Sequence, residues 1–139
     1  IDIEDLYCTD TRSGAIGENS GTNSYITRLS NTVNGVIYKA EMGCIETPTG
    51  TNIDANLVLA AVDAAPDTGD DVIGGSGYQI LVDINDRWSI GMSMDPGPST
   101  DYGDSDDKYL FLHSGGTTPG SVGQYTAGKF VIKLYGYNF

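Results

Sequence analysis

The last strand-like stretch of the chain, "KFVIKLYGY" (Lys129–Tyr137), alternates without a break. Phe130, Ile132 and Leu134 fall on one side; Lys129, Val131, Lys133, Tyr135 and Tyr137 fall on the other. Successive side chains of an extended strand point to opposite faces, so a period of two belongs to a sheet with one buried face. The same period recurs along the chain. "NSYITRLS" (Asn23–Ser30) sets Tyr25, Thr27 and Leu29 together. "GVIYKAEMGCIE" (Gly35–Glu46) sets Val36, Tyr38, Ala40, Met42 and Cys44 against Ile37, Lys39, Glu41 and Ile45. "IDANLVLAA" (Ile53–Ala61) aligns Ile53, Ala55, Leu57 and Leu59, with Asp54 and Asn56 outside. "YQILVDI" (Tyr78–Ile84) aligns Tyr78, Ile80, Val82 and Ile84, and "RWSIGMSM" (Arg87–Met94) aligns Trp88, Ile90, Met92 and Met94. "KYLFLH" (Lys108–His113) completes the set.

The pattern predicts an all-β, antiparallel β-sandwich of jelly-roll type with about seven strands, or eight if "IDIEDLY" at the start also pairs. Helix signals are nearly absent. The run "LVLAAVDAA" (Leu57–Ala65) is short, stops at Pro66, and reads equally well as a buried strand. Nineteen glycines supply the turns that many short strands need. Residues 1–23 read as an extended N-terminal arm or a first strand, and residues 24–139 as a single sandwich domain. At 139 residues the chain is long enough for one real core.

The formal net charge of −12 narrows the partners. A chain this acidic gains nothing by releasing counterions from a nucleic-acid backbone and is repelled by anionic lipid. Nucleic acid and membrane are therefore not expected as partners, and no apolar run reaches the length of a membrane-spanning helix. The chain opens on Ile1 rather than methionine, the mark of an N-terminus that was processed, trimmed or left out.

Two cysteines and one histidine are too few for an ordinary zinc site. Cys8 and Cys44 leave two readings open: a disulfide contributing roughly 3–4 kcal/mol by chain entropy, or two free thiols. His113 ends an apolar strand and reads as a hydrogen-bonded structural residue rather than a catalytic base. "GGSGYQ" (Gly74–Gln79) is glycine-rich but enters a strand, so it lacks the helix terminus that binds phosphate. The residues point to a protein that is not an enzyme and has no resident cofactor.

Calcium is the one metal worth weighing. Asp101, Asp104, Asp106 and Asp107 crowd into "TDYGDSDDK", and Ca²⁺ takes six to eight oxygens from flexible loops. The spacing does not match an EF-hand loop, and a solvated acidic loop is the alternative. Tyr102, Tyr125, Tyr135 and Tyr137 give carbohydrate stacking a basis, although tyrosines also serve as strand packing with a wet hydroxyl.

The polar face of the last strand carries two of the four lysines of an acidic chain. Lys129, Val131, Lys133, Tyr135 and Tyr137 are too polar for core. They mark either an edge guarded by charge or a contact face where cations lessen repulsion between acidic copies.

The stretches "NGVIYKAEMGC", "DKYLFLHSGG" and "YTAGKFVIKLYGY" together resemble small virion proteins of tailed phages of marine bacteria, over roughly residues 35–139. The resemblance implies a compact sandwich behind an extended N-terminal part, decorating or cementing the outer surface of a capsid. It implies the major capsid protein and further copies of the chain as partners, with a trimer expected, and a place on the virion. Residues 1–23 would then lace neighbouring subunits. The alternative expectation is an extracellular, lectin-like sandwich binding glycans, with or without Ca²⁺.

Overall fold

The computed structural model describes residues 1–8, 15–17, 24–51, 54–61, 78–83, 87–95, 105–114 and 123–138. Nine strands run through them: β1 (Tyr7–Cys8), β2 (Thr27–Arg28), β3 (Val36–Thr49), β4 (Asn56–Ala60), β5 (Tyr78–Val82), β6 (Ser93–Met94), β7 (Tyr109–His113), β8 (Gly123–Gln124) and β9 (Ala127–Tyr137). One short helical turn, α1 (Asn31–Asn34), precedes β3. Every strand pair is antiparallel. Three sheets form, in the orders β1-β8, β2-β7-β4-β5 and β6-β3-β9. The all-β, sandwich-like architecture follows. Neighbouring strands are often distant in sequence, β3 beside β9 and β4 beside β7, so crossing connections hold the layers together.

The core lies between the four-stranded and three-stranded sheets. Leu57 and Leu59 of β4, and Leu110 and Leu112 of β7, meet Ala40, Met42 and Cys44 of β3 and Phe130 of β9. Ile132 and Leu134 of β9 pack at the margin of this cluster, partly buried. Trp88 is fully buried; its indole N–H donates to the Ala55 carbonyl at 2.7 Å, and its ring meets Phe130 edge-on at 5.4 Å.

β4 departs from simple alternation, because all five of its residues are buried. Its second face meets Phe111 of β7, and Ala15 closes over Ala60 and Phe111 in a smaller apolar cluster. Tyr25 packs edge-on against Tyr109 at 4.9 Å beside them. Asn56, expected outside, is therefore buried opposite His113. A continuous apolar run such as "LVLA" is what a strand covered on both faces requires.

Several expectations are corrected. Tyr25 and Ile26 are exposed, and only Thr27 and Arg28 are strand among the described residues of "NSYITRLS". "RWSIGMSM" is mostly a turn: the Met92 amide bonds the Ser89 carbonyl at 3.0 Å, and Gly91 has φ +87°, the left-handed position of a type II turn. Ile90 is consequently 69% exposed, and only Ser93–Met94 form a strand on β3, while the Gly91 amide and the Met92 carbonyl bond Cys44.

The described parts of residues 1–23 are not a free arm. Ile3, Cys8, Ala15 and Ile16 are buried in the body of the chain. The Ile3 amide bonds the Gly128 carbonyl at 2.9 Å, the Phe130 amide bonds the Ile1 carbonyl at 2.8 Å, and β1 pairs with β8. The expectation that this segment laces neighbours does not hold for residues 1–8 and 15–17. Cys8 and Cys44 are buried thiols that no disulfide joins, so the disulfide reading is also corrected; the Cys44 thiol donates to the Glu46 carbonyl at 3.2 Å. Burial raises the Cys44 pKa, which keeps the thiol protonated and inert.

Candidate contact face

β3 and β9 pair along nearly their whole length, and their shared outer face carries the residues that the alternation of β9 singled out. Lys39 lies opposite Tyr135, Glu41 opposite Lys133, Gly43 opposite Val131, and Glu46 opposite Lys129. The face is built by pleating: Phe130 points inward and is fully buried, while Val131 beside it is 42% exposed.

A register shift between Ile37 and Lys39 changes the phase of β3. Ile37 turns into the core, and Tyr38, expected inside with Ala40 and Met42, is 52% exposed. One extra residue in a bulge flips the side chains beyond it to the opposite faces. The bulge thereby adds Tyr38 to the outer face, 5.7 Å from the Tyr137 ring and 6.4 Å from the Tyr135 ring. The sequence held one signal for this. Ile37 shares its parity with Lys39 and Glu41, and an apolar residue in phase with two charged ones marks a break.

The charges on the face are organised. The Lys39 ammonium lies 2.7 Å from Glu41 and 2.8 Å from Asp95, and sits over the Tyr135 ring at 5.1 Å. The Tyr135 hydroxyl donates to the other Glu41 oxygen at 2.8 Å. Bonds from Lys39 and then Tyr135 lower the Glu41 pKa, and the bond to Glu41 raises that of Tyr135. Lys39 is raised chiefly by its bond to Asp95. Beside this network a shallow groove of about 280 Å³ is lined by Glu41, Gly43, Ser93, Asp95, Val131 and Lys133. A Cβ at Gly43 would meet nothing closer than 3.8 Å.

The two lysines of β9 have different roles. Lys129 pairs with Asp2 at 2.9 Å and Glu46 at 3.8 Å, so it fastens the first residues to the sheet. Lys133 is exposed on the face and has no ion pair within 4.0 Å among the described residues. Thus the structure places Val131, Lys133, Tyr135 and Tyr137 together with Tyr38, and assigns Lys129 to a tether inside the chain.

The Asp2 pKa is lowered, first by its bond to Lys129. A depressed carboxylate stabilises the fold above its unfolded pKa and loses that contribution as pH falls through the folded value. The Asp2–Lys129 and Glu41–Lys39 links are therefore present at neutral pH and lost only in acid, below pH about 4. Carboxyl NMR titration should give midpoints for Asp2 and Glu41 below those of free side chains, and Lys129→Ala should raise the Asp2 midpoint, with the Glu4 amide still holding it down.

The other expected site residues separate. Asp101, Asp104 and Tyr102 lie outside the described residues. Asp106 accepts from the Asn31 amide at 2.8 Å, and Asp107, at φ +60°, pairs with Arg28. These two aspartates hold α1 and β2 in place. Tyr125 is fully buried, its pKa raised by burial, and offers no ring to a sugar. No protein-family model, curated protein or solved structure matches this chain.

Proposed function

We propose that the chain is a non-enzymatic structural protein of a virion that decorates or cements the outer surface of a phage capsid through the outer face of β3 and β9. The observation that supports this reading is the face itself. A chain of net charge −12 sets two of its four lysines, Lys39 and Lys133, there, beside Tyr38, Tyr135 and Tyr137 and the exposed Val131. Aromatic rings that are half-exposed and held by neighbours lose little entropy on docking, which is why Tyr is enriched at protein interfaces. The Lys39–Glu41–Tyr135 network fixes the side chains before any partner arrives. The major capsid protein is the partner of this reading.

Co-sedimentation with empty capsid shells tests it. Wild-type chain should pellet with the shells. Lys133→Ala combined with Tyr137→Ala should lower affinity by on the order of a hundredfold, since two truncations of about 1.4 kcal/mol are tenfold apiece. Lys129→Ala, which removes only the internal tether, should bind nearly as wild type. Failure of the wild-type chain to pellet, together with selective binding on a glycan array, would replace the proposal with the lectin-like reading. The same three rings would serve sugar stacking there.

A further inference from the structure

A second groove opens at one end of the β3–β9 ladder, where the turn of α1 meets the last residues of β9. It holds about 420 Å³ and is lined by Asn31, Thr32, Val36, Tyr137 and Asn138. Its walls are fixed by backbone contact. A Cβ at Gly35 would stand 2.5 Å from the Tyr137 carbonyl, and one at Gly136 would stand 2.2 Å from that of Asn34, so two glycines let α1 lie this close to β9. The Ser30 amide bonds the Asn34 side-chain oxygen at 3.0 Å, and Asp106 accepts from the Asn31 amide at 2.8 Å, which holds the turn in place. The Tyr137 ring is half-exposed and rests near Tyr38, 5.7 Å between centres. Ligand sites are concave, largely pre-formed and supplied with a few placed polar groups, and this groove has those traits before anything binds.

We infer that this groove binds a neutral saccharide, with one sugar ring laid on Tyr137. The five lining side chains carry no formal charge, in a chain whose net charge is −12. A site for a phosphate, a carboxylate or an ammonium would offer a counter-charge. Two amides, a hydroxyl and an aromatic ring offer hydrogen bonds and a flat apolar face instead. A sugar presents the matching pair of surfaces, hydroxyls around its rim and C–H bonds across its ring. An asparagine side chain accepts through its oxygen and donates through its nitrogen, so Asn31 and Asn138 can meet a hydroxyl in either sense. Val36 and Tyr137 supply the apolar side. The Asn31 Oδ1 points to the same ligand, because it is buried and has no hydrogen-bond partner among the described residues. A buried acceptor without a donor costs free energy, so the Asn31 amide gains by turning toward a hydroxyl in the groove that its side chain lines. Tyr137 also belongs to the contact face proposed above, but Asn31 and Thr32 do not, so the two readings stand or fall separately.

NMR titration of the isotope-labelled chain with glucose, galactose, mannose and N-acetylglucosamine, one at a time, tests it. At least one sugar should shift the Asn31 and Asn138 side-chain amides and the Tyr137 ring saturably. Glucuronate, the carboxylate counterpart of glucose, should not. Asn31→Ala should weaken the best-binding sugar by about three- to tenfold, the effect of one hydrogen bond of ordinary strength, with unchanged circular dichroism. Tyr137→Ala should weaken it further, whereas Tyr137→Phe, which keeps the ring, should bind nearly as wild type. No saturable shift with any of the four sugars, shifts confined to the residues around Lys133, binding of glucuronate as tight as that of glucose, or equal binding by the wild type and Asn31→Ala would overturn the inference. A chain that pellets with capsid shells but binds none of the sugars would overturn this inference alone. A chain that binds a sugar at the groove but never pellets would overturn only the capsid reading.

Discussion

Trp88→Ala should lower stability by about 3–5 kcal/mol, the range for emptying an aromatic site in a core. The indole fills the space between the sheets with no exposed surface, and its N–H satisfies the Ala55 carbonyl. Alanine leaves a void against Phe130 and an unpartnered carbonyl together, two costs with separate causes. Folded domains hold only about 5–15 kcal/mol in reserve, so the variant should melt roughly 10–20 °C lower. Calorimetry checks it. Trp88→Phe separates the two costs, since it keeps most of the apolar bulk and loses the hydrogen bond. It should fall between the wild type and alanine. A loss of only a few degrees for Trp88→Ala would mean that the site collapses and that the sheets do not depend on the indole to set their spacing.

Gly136→Ala should cost about 1–3 kcal/mol, the range for overpacking a filled site, although it adds a single methyl group. A Cβ at Gly136 would stand 2.2 Å from the Asn34 carbonyl oxygen and 3.2 Å from Ile37. The first neighbour is backbone, so relief requires moving the end of α1 or the end of β9. Gly35 is the reciprocal position: it has φ +69°, and its Cβ would come within 2.5 Å of the Tyr137 carbonyl. Two glycines thus let the turn of α1 touch the last strand backbone to backbone. Displacing that contact should shift the Tyr137 and Tyr38 ring resonances and speed amide exchange at the end of β9. Gly43→Ala is the control. It lies on the same sheet, its added Cβ meets only ordinary contacts beyond 3.8 Å, and its stability should stay within about 0.5 kcal/mol of wild type. An equal gain at Gly136 and Gly43, as backbone entropy alone would give, would show that the clash is relieved.

The face of β9 was legible because alternation is a local property. Phe130 inside and Val131 and Lys133 outside follow from the pleat alone. Partners were not legible in the same way. Lys129 and Lys133 look alike along the strand. They differ because Asp2, at the far end of the chain, arrives beside one and not the other. The Lys39–Glu41 pair lies two residues apart on one strand, yet Asp95 and Tyr135, which complete its network, come from just beyond β6 and from β9.

What the residues determined by themselves was the class of fold and the polarity of its long strands. Period-two runs separated by glycine-rich turns admit no helical solution, and they bury Ala40, Met42, Cys44 and Phe130 wherever the sheets meet. The tertiary structure alone decided where that period breaks and what covers each surface. The bulge beside Ile37 exposes Tyr38, the turn at Gly91 exposes Ile90, and Ala15 seals the second face of β4. The pairing of residues 1–3 with Gly128–Phe130 ties Asp2 to Lys129 and fastens these residues to β9. Each of these depends on contacts between residues far apart in the chain, and side-chain alternation within one strand carries no information about what packs against it.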